Sequence, residues 1–507
     1  MIEKKIQNFI YLLFFLIIFC LHFYQLLTQH WSAVLDQDLI IIYNSILLNS
    51  GIEQEYRDHP AYTTFLINSL IYKFLNIFLA TSGHIDEILN SNNINEKFQL
   101  YFYFSRTLNF FFNVVLVLFL NKILKKLDIA RDLRFFLCLV FVLSFGYISS
   151  FFFIRSENLS LLFLFFSINA VLSKNTDLLF NFFIAGIFFS FSMLTKIQII
   201  FLVPYLIYLI PKINKKYELP ETKNFYLKNY LLASFFLGII CFIIFQIYIQ
   251  EFPRFQTNKY IDLIVFTLGL IIFLIYFHFS GNFKKNLILF SSMLNGFVFL
   301  IIFLFLLDRI NILQINDFIL LRLTNPIHYM TEFTGNLAGG TVNLDYIFEN
   351  IFQFFSSYNF SFVELFLLFL LFLINFRNKN YFFVLFSIFI LNVLVMNFRY
   401  SDLYHIFYIF IYLILFSELT KKIDPKLSTK FSYLLLIIFF SNSLNFFIFK
   451  ENNFLDSIYN RGNGMLKVCN EFKFNIIPPT YENVQYIKYW HSKIDDDKIE
   501  KICNEIN

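Results

Sequence analysis

Long uninterrupted apolar runs are the feature that most constrains this chain. Fourteen runs lie near residues 8–27, 62–79, 102–121, 134–153, 158–172, 178–194, 197–211, 227–249, 260–279, 286–307, 361–375, 381–397, 404–417 and 431–449. A helix of about 20 apolar residues matches the roughly 30 Å hydrocarbon core of a bilayer. With 58% hydrophobic and only 15% charged residues, the chain lacks the polar surface of a soluble domain. We therefore expect an all-α integral membrane protein.

The connectors between these runs differ in basic charge. Cytoplasmic loops of membrane proteins are enriched in Lys and Arg. The basic connectors contain Lys4 and Lys5; Lys122, Lys125, Lys126, Arg131 and Arg134; Lys174; Lys212, Lys215, Lys216, Lys223 and Lys228; Lys284 and Lys285; Arg377 and Lys379; and Lys421, Lys422, Lys426 and Lys430. We place these connectors in the cytoplasm and the remaining ones outside it.

The first outer segment fixes the number of crossings. The run at 8–27 is too long for a signal-peptide core and has no small-residue cleavage site after it, so we expect it to remain as a span. It leaves a basic N-terminus, and the cluster beginning at Lys122 requires the run at 102–121 to cross inward. The run at 62–79, which contains Lys73, then lies along or dips into the membrane.

The resulting topology has about 13 transmembrane helices in a domain spanning residues 1–449. Its long first outer loop, 28–101, carries membrane-lying helices, and a second large outer loop covers 308–360. Residues 450–507 form a small non-cytoplasmic tail. In an oxidising compartment, Cys469 and Cys503 of this tail could form a disulfide.

Several classes of function are disfavoured. The cytoplasmic connectors are short, and neither GxGxxG nor GxxxxGK[ST] occurs in the sequence, so nothing indicates nucleotide binding. The net charge of +5 is distributed by side and does not form a patch for nucleic acid. No His, Cys and carboxylate set has the spacing of metal ligands, so we assign no metal site. The sequence leaves open whether the protein uses a divalent cation as a cofactor.

Nine charged or titratable residues on the non-cytoplasmic side are candidates for a functional site. They are Asp36, Asp38, Arg57, Asp58, His59, Arg155, Glu157, Lys196 and Arg399. Charges near a bilayer cost free energy unless they are paired, hydrated or bound to a ligand. Cations grouped with a carboxylate base suit an anionic leaving group and an acceptor hydroxyl, and phosphate is the obvious anion at a membrane face.

Two residues are candidates for the base. Asp36 and Asp38 follow the first span, where partial burial raises a carboxylate pKa towards a useful range. Alternatively, one of them caps an interfacial helix beginning near Leu39. His59 and Pro60 can equally mark the start of a helix, because Pro is favoured at the first helical position.

The other charged positions also have simpler interpretations. Arg155 to Asn158 can be a solvated turn between two spans. Arg106, inside an apolar run, can extend its side chain to the membrane surface. Lys196 interrupts an apolar stretch with no acid near it in sequence, so it is either a hinge that reaches water or a cation directed at an anion.

Four segments carry a family resemblance. They are His59-Pro-Ala-Tyr-Thr-Thr-Phe-Leu, Ser105-Arg106-Thr-Leu-Asn, Phe153-Ile-Arg155-Ser-Glu157-Asn-Leu-Ser, and Gly186 through Leu194-Thr195-Lys196. In order and spacing they resemble the polyprenyl-phosphate-dependent C-fold glycosyltransferases, which include protein O-mannosyltransferases and lipid A aminoarabinose transferases. The resemblance covers roughly residues 30–210. This family carries its catalytic acid and membrane-lying helices in the first outer loop.

The resemblance implies that Asp36 or Asp38 is the catalytic base. Here the motif is Asp-Gln-Asp where the family has adjacent acids, and His-Pro-Ala where it has His-Pro-Pro, so the choice of aspartate stays open. The remaining residues of the outer set, Arg57, Asp58, His59, Arg155, Glu157, Lys196 and Arg399, are then expected to bind the donor phosphate and substrate.

The expected function is transfer of a sugar from a polyprenyl-phosphate donor to a lipid, glycan or protein acceptor, with inversion. The reaction would occur on the non-cytoplasmic face of a multi-pass membrane protein, in a bacterial inner or plasma membrane. The alternatives are a transporter or flippase and a non-catalytic scaffold. Transporters often bind substrate at broken helices and contain repeats, whereas this chain shows no internal repeat, and Pro204 alone lies well inside a predicted span.

Overall fold

The computed structural model describes eight stretches and several single positions of the 507-residue chain. They are residues 40–52, 54, 61–79, 83–89, 94–144, 147, 151, 154–173, 177–216, 225–248 and 259–310, with positions 16, 19, 20, 22, 23, 26, 407, 409, 410, 413 and 414. Within this part the regular elements are helices, and no strand occurs. Asp36, Asp38, Arg57, Asp58, His59, Arg399, Cys469 and Cys503 lie outside the described residues, as do the tail and nearly all of the second outer loop.

Twelve helical elements are described. They are α1 (Ile40–Asn49), α2 (Tyr62–Leu79), α3 (Ile85–Leu89), α4 (Ile94–Lys126), α5 (Arg131–Val142), α6 (Ser156–Val171), α7 (Leu178–Thr195), the 3-10 helix η1 (Ile197–Leu202), α8 (Val203–Lys216), α9 (Phe225–Tyr248), α10 (Lys259–Phe279) and α11 (Phe283–Arg309). Each apolar run between 62–79 and 286–307 therefore contains a helix.

Two elements differ from their apolar runs for local reasons. The run at 134–153 predicts a longer helix than α5, which ends at Val142. There Ser144 Oγ donates to Phe141 O at 2.5 Å and accepts from Tyr147 N at 3.4 Å, so a serine side chain competes with the helical hydrogen bonds. The run at 197–211 begins as a 3-10 turn before α8, whose second residue, Pro204, has no backbone N–H.

Three helices of the described part are long and apolar enough to cross a membrane. They are Glu96–Lys126 within α4, Leu178–Thr195, which is α7, and Phe283–Arg309, which is α11. With helices throughout the described residues, they give the chain the character of a helical membrane protein. The number of thirteen crossings stays a prediction, because several of the predicted spans lie largely outside the described residues.

Helix α7 packs closely against α6 and α11 through small residues. A Cβ built on Gly186 would collide with the carbonyl of Met293, and one built on Gly296 would collide with the carbonyl of Phe183. Where α6 meets α7, Ser160 Oγ donates to Ser192 O at 2.9 Å and Ser192 Oγ donates to Ser160 O at 2.6 Å. Close backbone approach and interhelical serine bonds are the usual means by which helices associate in an apolar medium.

The helix ends form two groups. At one end, α6 begins where α7 terminates, and α2 begins beside them, because Thr63 Oγ1 donates to Phe191 O at 3.4 Å. At the other end, Lys126 Nζ donates to Asn169 O at 2.7 Å and to Ser173 Oγ at 3.3 Å, joining the last turns of α4 and α6. The side of the membrane on which each end lies stays a prediction.

Helix α1 bears on the capping alternative for Asp36 and Asp38. It begins at Ile40, next to the expected start near Leu39. All residues from Ile41 to Leu48 are buried, so α1 is enclosed by the chain, and its position at the membrane interface stays a prediction. The cap itself involves positions outside the described residues.

Candidate ionic site at the ends of helices α6 and α7

Glu157 is a buried carboxylate in the first turn of α6. Its exposure is 1%, and an isolated charge at such a position would be strongly disfavoured. Lys196 Nζ lies 3.1 Å from Glu157 Oε1, and Arg155 Nη1 lies 3.5 Å from the same oxygen. Ser156 Oγ donates to Oε2 at 3.4 Å. Two cations and one hydroxyl therefore replace the water that the carboxylate loses on burial.

Lys196 reaches Glu157 because the chain leaves helical geometry at this residue. Its φ of −156° and ψ of 111° are extended, and it lies between α7 and η1. Its side chain is directed inward, and the residue is 4% exposed. The interpretation of Lys196 as a hinge that reaches water is therefore wrong. Its anionic partner, Glu157, lies in the first turn of α6, so nearly all of α6 and the whole of α7 separate the two residues in sequence.

The two neighbouring cations keep Glu157 ionised. Burial alone would raise the pKa of Glu157, but the charges of Lys196 and Arg155 outweigh that effect and hold the pKa below its ordinary value of 4.5. Glu157 is therefore ionised at neutral pH, and it holds two cations together at the ends of α6 and α7.

A polar network fixes the start of α6 in position. Asn158, which is fully buried, donates from Nδ2 to Asn113 Oδ1 of α4 at 2.7 Å. Tyr147 OH donates to Asn113 O at 3.1 Å. Together with the Ser160 and Ser192 bonds, these contacts join α4, α6 and α7 directly behind Glu157. The solvated-turn interpretation of Arg155 to Asn158 is wrong, because Ser156, Glu157 and Asn158 are all buried.

Arg106 of α4 is a further buried cation. It is 2% exposed, and its guanidinium carbon lies 5.1 Å from the centroid of the Phe102 ring. The side chain does not extend to the surface, so the snorkelling interpretation is wrong. An arginine over an aromatic ring gains a cation–π interaction that offsets part of the cost of burial.

The structure thus brings together three of the nine residues selected from the sequence: Arg155, Glu157 and Lys196. The other six, Asp36, Asp38, Arg57, Asp58, His59 and Arg399, lie outside the described residues, so their place relative to this cluster stays a prediction. In the part of the chain that the structure describes, no group of three or more His, Cys, Asp and Glu side chains could hold a metal ion.

Comparison of the chain with protein-family models, curated proteins and solved structures finds no match.

Proposed function

We propose that this chain is a membrane glycosyltransferase that takes a sugar from a polyprenyl-phosphate donor and transfers it to a lipid, glycan or protein acceptor. The observation that carries the proposal is the cluster in which Lys196 and Arg155 converge on the buried carboxylate of Glu157. Cations gathered at one end of a helix bundle suit a leaving group that carries phosphate. A lipid-linked donor reaches such a site from within the bilayer.

The proposed reaction is a single displacement. Asp36 or Asp38 removes the proton of the acceptor hydroxyl, whose oxygen then attacks the anomeric carbon. The bond from that carbon to the phosphate oxygen breaks, and the negative charge that develops on the lipid phosphate is stabilised by Lys196 and Arg155, with Arg57 and Arg399 as further candidates. Attack opposite the leaving group inverts the anomeric carbon. Glu157 is a positioning residue that holds Lys196 and Arg155.

One observation favours the rival function, a transporter or flippase. The helical path breaks at Lys196 and continues as η1 before α8, which contains Pro204. Interrupted helices that carry a charge at the break are typical of transporter binding sites. The substrate of such a protein would be the lipid-linked sugar itself.

An assay with a labelled donor distinguishes these functions. Purified protein in liposomes receives undecaprenyl phosphate bearing a radiolabelled hexose or pentose, together with membrane extract as the source of acceptor. A transferase moves the label to a new product and releases undecaprenyl phosphate. Movement of intact donor to the opposite leaflet, without new product, would instead establish a flippase.

Asparagine variants of the two candidate bases test the chemical step. Loss of a general base typically lowers turnover about 10²–10⁴-fold. Either Asp36→Asn or Asp38→Asn should lose turnover to this extent while binding donor normally, because a base acts in the transition state. Lys196→Ala and Arg155→Ala should weaken both donor binding and turnover. If both asparagine variants react at the parental rate, the base does not belong to this loop.

A further inference from the structure

Helix α4 has an exposed stripe that changes from apolar to basic along its length. Phe111 and Leu118 are 56% and 61% exposed, and Lys122 and Lys125 are exposed one and two turns further on. Successive spacings of seven, four and three residues place these four positions on one face of the helix. Such a stripe matches the boundary between the hydrocarbon core of a bilayer and its headgroups.

Lys122 lies directly at this boundary. Its Nζ is 5.0 Å from the centroid of the Phe119 ring, and that ring packs edge-on against Phe166 of α6, with centroids 4.5 Å apart. A cation placed over an aromatic ring is attracted to it, so the ammonium stays at the level of the last apolar turn. The positive charge is therefore next to the apolar stripe, where the phosphate and the acyl chain of a lipid meet.

A tight turn brings a third exposed cation to the same place. Helix α4 ends with Ile129 N donating to Leu124 O and Asp128 N donating to Lys125 O, both at 3.1 Å. Asp128 has a left-handed conformation with a φ of 60°, so the chain reverses out of the helix within these residues. Arg131, the first residue of α5, is exposed and is held close to the last turn of α4.

The other two cations of this α4–α5 corner, residues 122–134, are used within the protein. Lys126 Nζ donates to Asn169 O at 2.7 Å and to Ser173 Oγ at 3.3 Å. Arg134 Nη1 donates to Ile129 O at 2.9 Å. Both side chains are half-buried, and their bonds fix the corner against α6 and across the turn.

The corner carries more positive than negative charge. It contains five basic residues and two acidic ones, Asp128 and Asp132, so basic residues exceed acidic ones by three. Anionic headgroups attract basic segments beside a membrane span, and each Lys or Arg near the surface strengthens the interaction about 5-fold. The corner therefore has the charge that an anionic lipid requires.

We propose that the α4–α5 corner binds one anionic phospholipid. Its phosphate contacts the three exposed cations, Lys122, Lys125 and Arg131, and its acyl chain lies along Leu118 and Phe111. A lipid is favoured over a soluble anion because the apolar stripe continues directly from the cations. The site lies at the end of α4 and α6 opposite the ionic cluster, and the inference does not depend on the proposed function.

The test compares two phospholipids with identical acyl chains, anionic phosphatidylglycerol and zwitterionic phosphatidylethanolamine. Each is titrated into the full-length protein in detergent, and native mass spectrometry counts the lipids that are retained. The parental protein should bind phosphatidylglycerol more tightly. The triple variant Lys122→Gln, Lys125→Gln and Arg131→Gln should weaken that binding about 10- to 100-fold. Because all three side chains are exposed, its affinity for phosphatidylethanolamine and its thermal midpoint should not change.

The double variant Lys284→Gln and Lys285→Gln is a matched control. These residues begin α11 in another connector predicted to be cytoplasmic, and Lys284 is exposed. The next positions on the face of Lys284 are Leu287, Ile288 and Ser291, which are all buried. No exposed apolar stripe therefore follows this basic pair, and its removal should leave the affinity for phosphatidylglycerol unchanged.

Competition with glycerol 3-phosphate separates a lipid site from a site for a soluble anion. This compound has the phosphate without acyl chains, so it should not displace phosphatidylglycerol at concentrations comparable to those of the lipid. Displacement would overturn the proposal, as would equal affinity of the parental protein for the two phospholipids. An equal loss of phosphatidylglycerol binding in the triple variant and in the matched control would show a general effect of surface charge and would also overturn it.

Discussion

At the scale of single residues, Glu157 shows how a charge is kept inside an apolar bundle. The carboxylate lies within 3.5 Å of two cations, and both reach it from positions where the backbone is extended, at the start of α6 and after the end of α7. Sequence analysis selected all three residues as outer charges but did not pair Lys196 with Glu157. Apolar periodicity gives helix positions and carries no information about which helix ends meet.

Removing one partner of the Glu157–Lys196 ion pair should destabilise the protein more than removing both charges. Lys196→Met leaves a buried carboxylate with Arg155 alone, and loss of one partner from a buried pair typically costs about 3–5 kcal/mol. The double variant Glu157→Gln with Lys196→Met removes both charges and should recover most of that loss. We expect neither variant to transfer sugar. Thermal unfolding in detergent measures the stabilities, and a double variant no more stable than Lys196→Met would show that the two charges are not coupled.

The same pair predicts a response to acid. Because the pKa of Glu157 is held below its ordinary value of 4.5, its contribution to stability is complete above 4.5 and is lost as pH falls through the lowered folded-state value. The thermal midpoint of the parental protein should therefore drop more steeply below pH 4.5 than that of Glu157→Gln. Equal slopes for the two proteins would mean that this carboxylate contributes nothing to acid sensitivity.

At the scale of elements, the apolar runs predicted the helices well and their interruptions poorly. The run at 62–79 coincides with α2, since a run of apolar residues between polar ones leaves few choices for the helix ends. The early end of α5 depends on the Ser144 side chain, and the break at Lys196 is accompanied by the Thr195 hydroxyl bond to Phe191 O. Such interruptions depend on side-chain and tertiary contacts, which hydropathy does not register.

Replacing a helical glycine by alanine should destabilise the protein at some positions and stabilise it at others, depending on the space around the glycine. A Cβ at Gly186 or Gly296 meets the backbone of the facing helix, so Gly186→Ala and Gly296→Ala should separate α7 from α11 and destabilise the protein by about 1–3 kcal/mol. Gly238 and Gly269 have nothing within 4 Å of such a Cβ, and alanine there should stabilise by up to about 1 kcal/mol through helix propensity. Thermal unfolding of the four variants gives the comparison. A loss of stability in Gly238→Ala or Gly269→Ala as large as in Gly186→Ala would contradict this prediction.

At the scale of the whole molecule, the described contacts place Arg155, Glu157, Lys196 and the start of α2 at one end, with Lys126 and Ser173 at the other. The assignment of these ends to opposite sides of the membrane, made from the basic connectors, stays a prediction. The sequence could not predict that α7 would be the helix against which α2, α6 and α11 all pack. That arrangement depends on small residues whose partners are distant in sequence.

The predicted topology places the end that contains Lys196 outside the cytoplasm, with α2 not crossing the membrane. Single cysteines introduced at Ser82 and Asn92, in a background without native cysteines, should both react with an impermeant maleimide added to intact cells. Both positions lie in the segment between α2 and α4, so a crossing by α2 would move them to the other side. Labelling only after the cells are opened would exclude the thirteen-crossing topology.

The glycine contact between α7 and α11 also limits how the molecule can move. Where backbone meets backbone, no side chain can change rotamer to let the helices slide, so α7 and α11 behave as one rigid unit. The start of α2 is joined to α7 by a longer bond of 3.4 Å from Thr63 and presents apolar side chains outward further along the helix. Among the described helices, α2 should therefore separate from α7 more easily than α11 does.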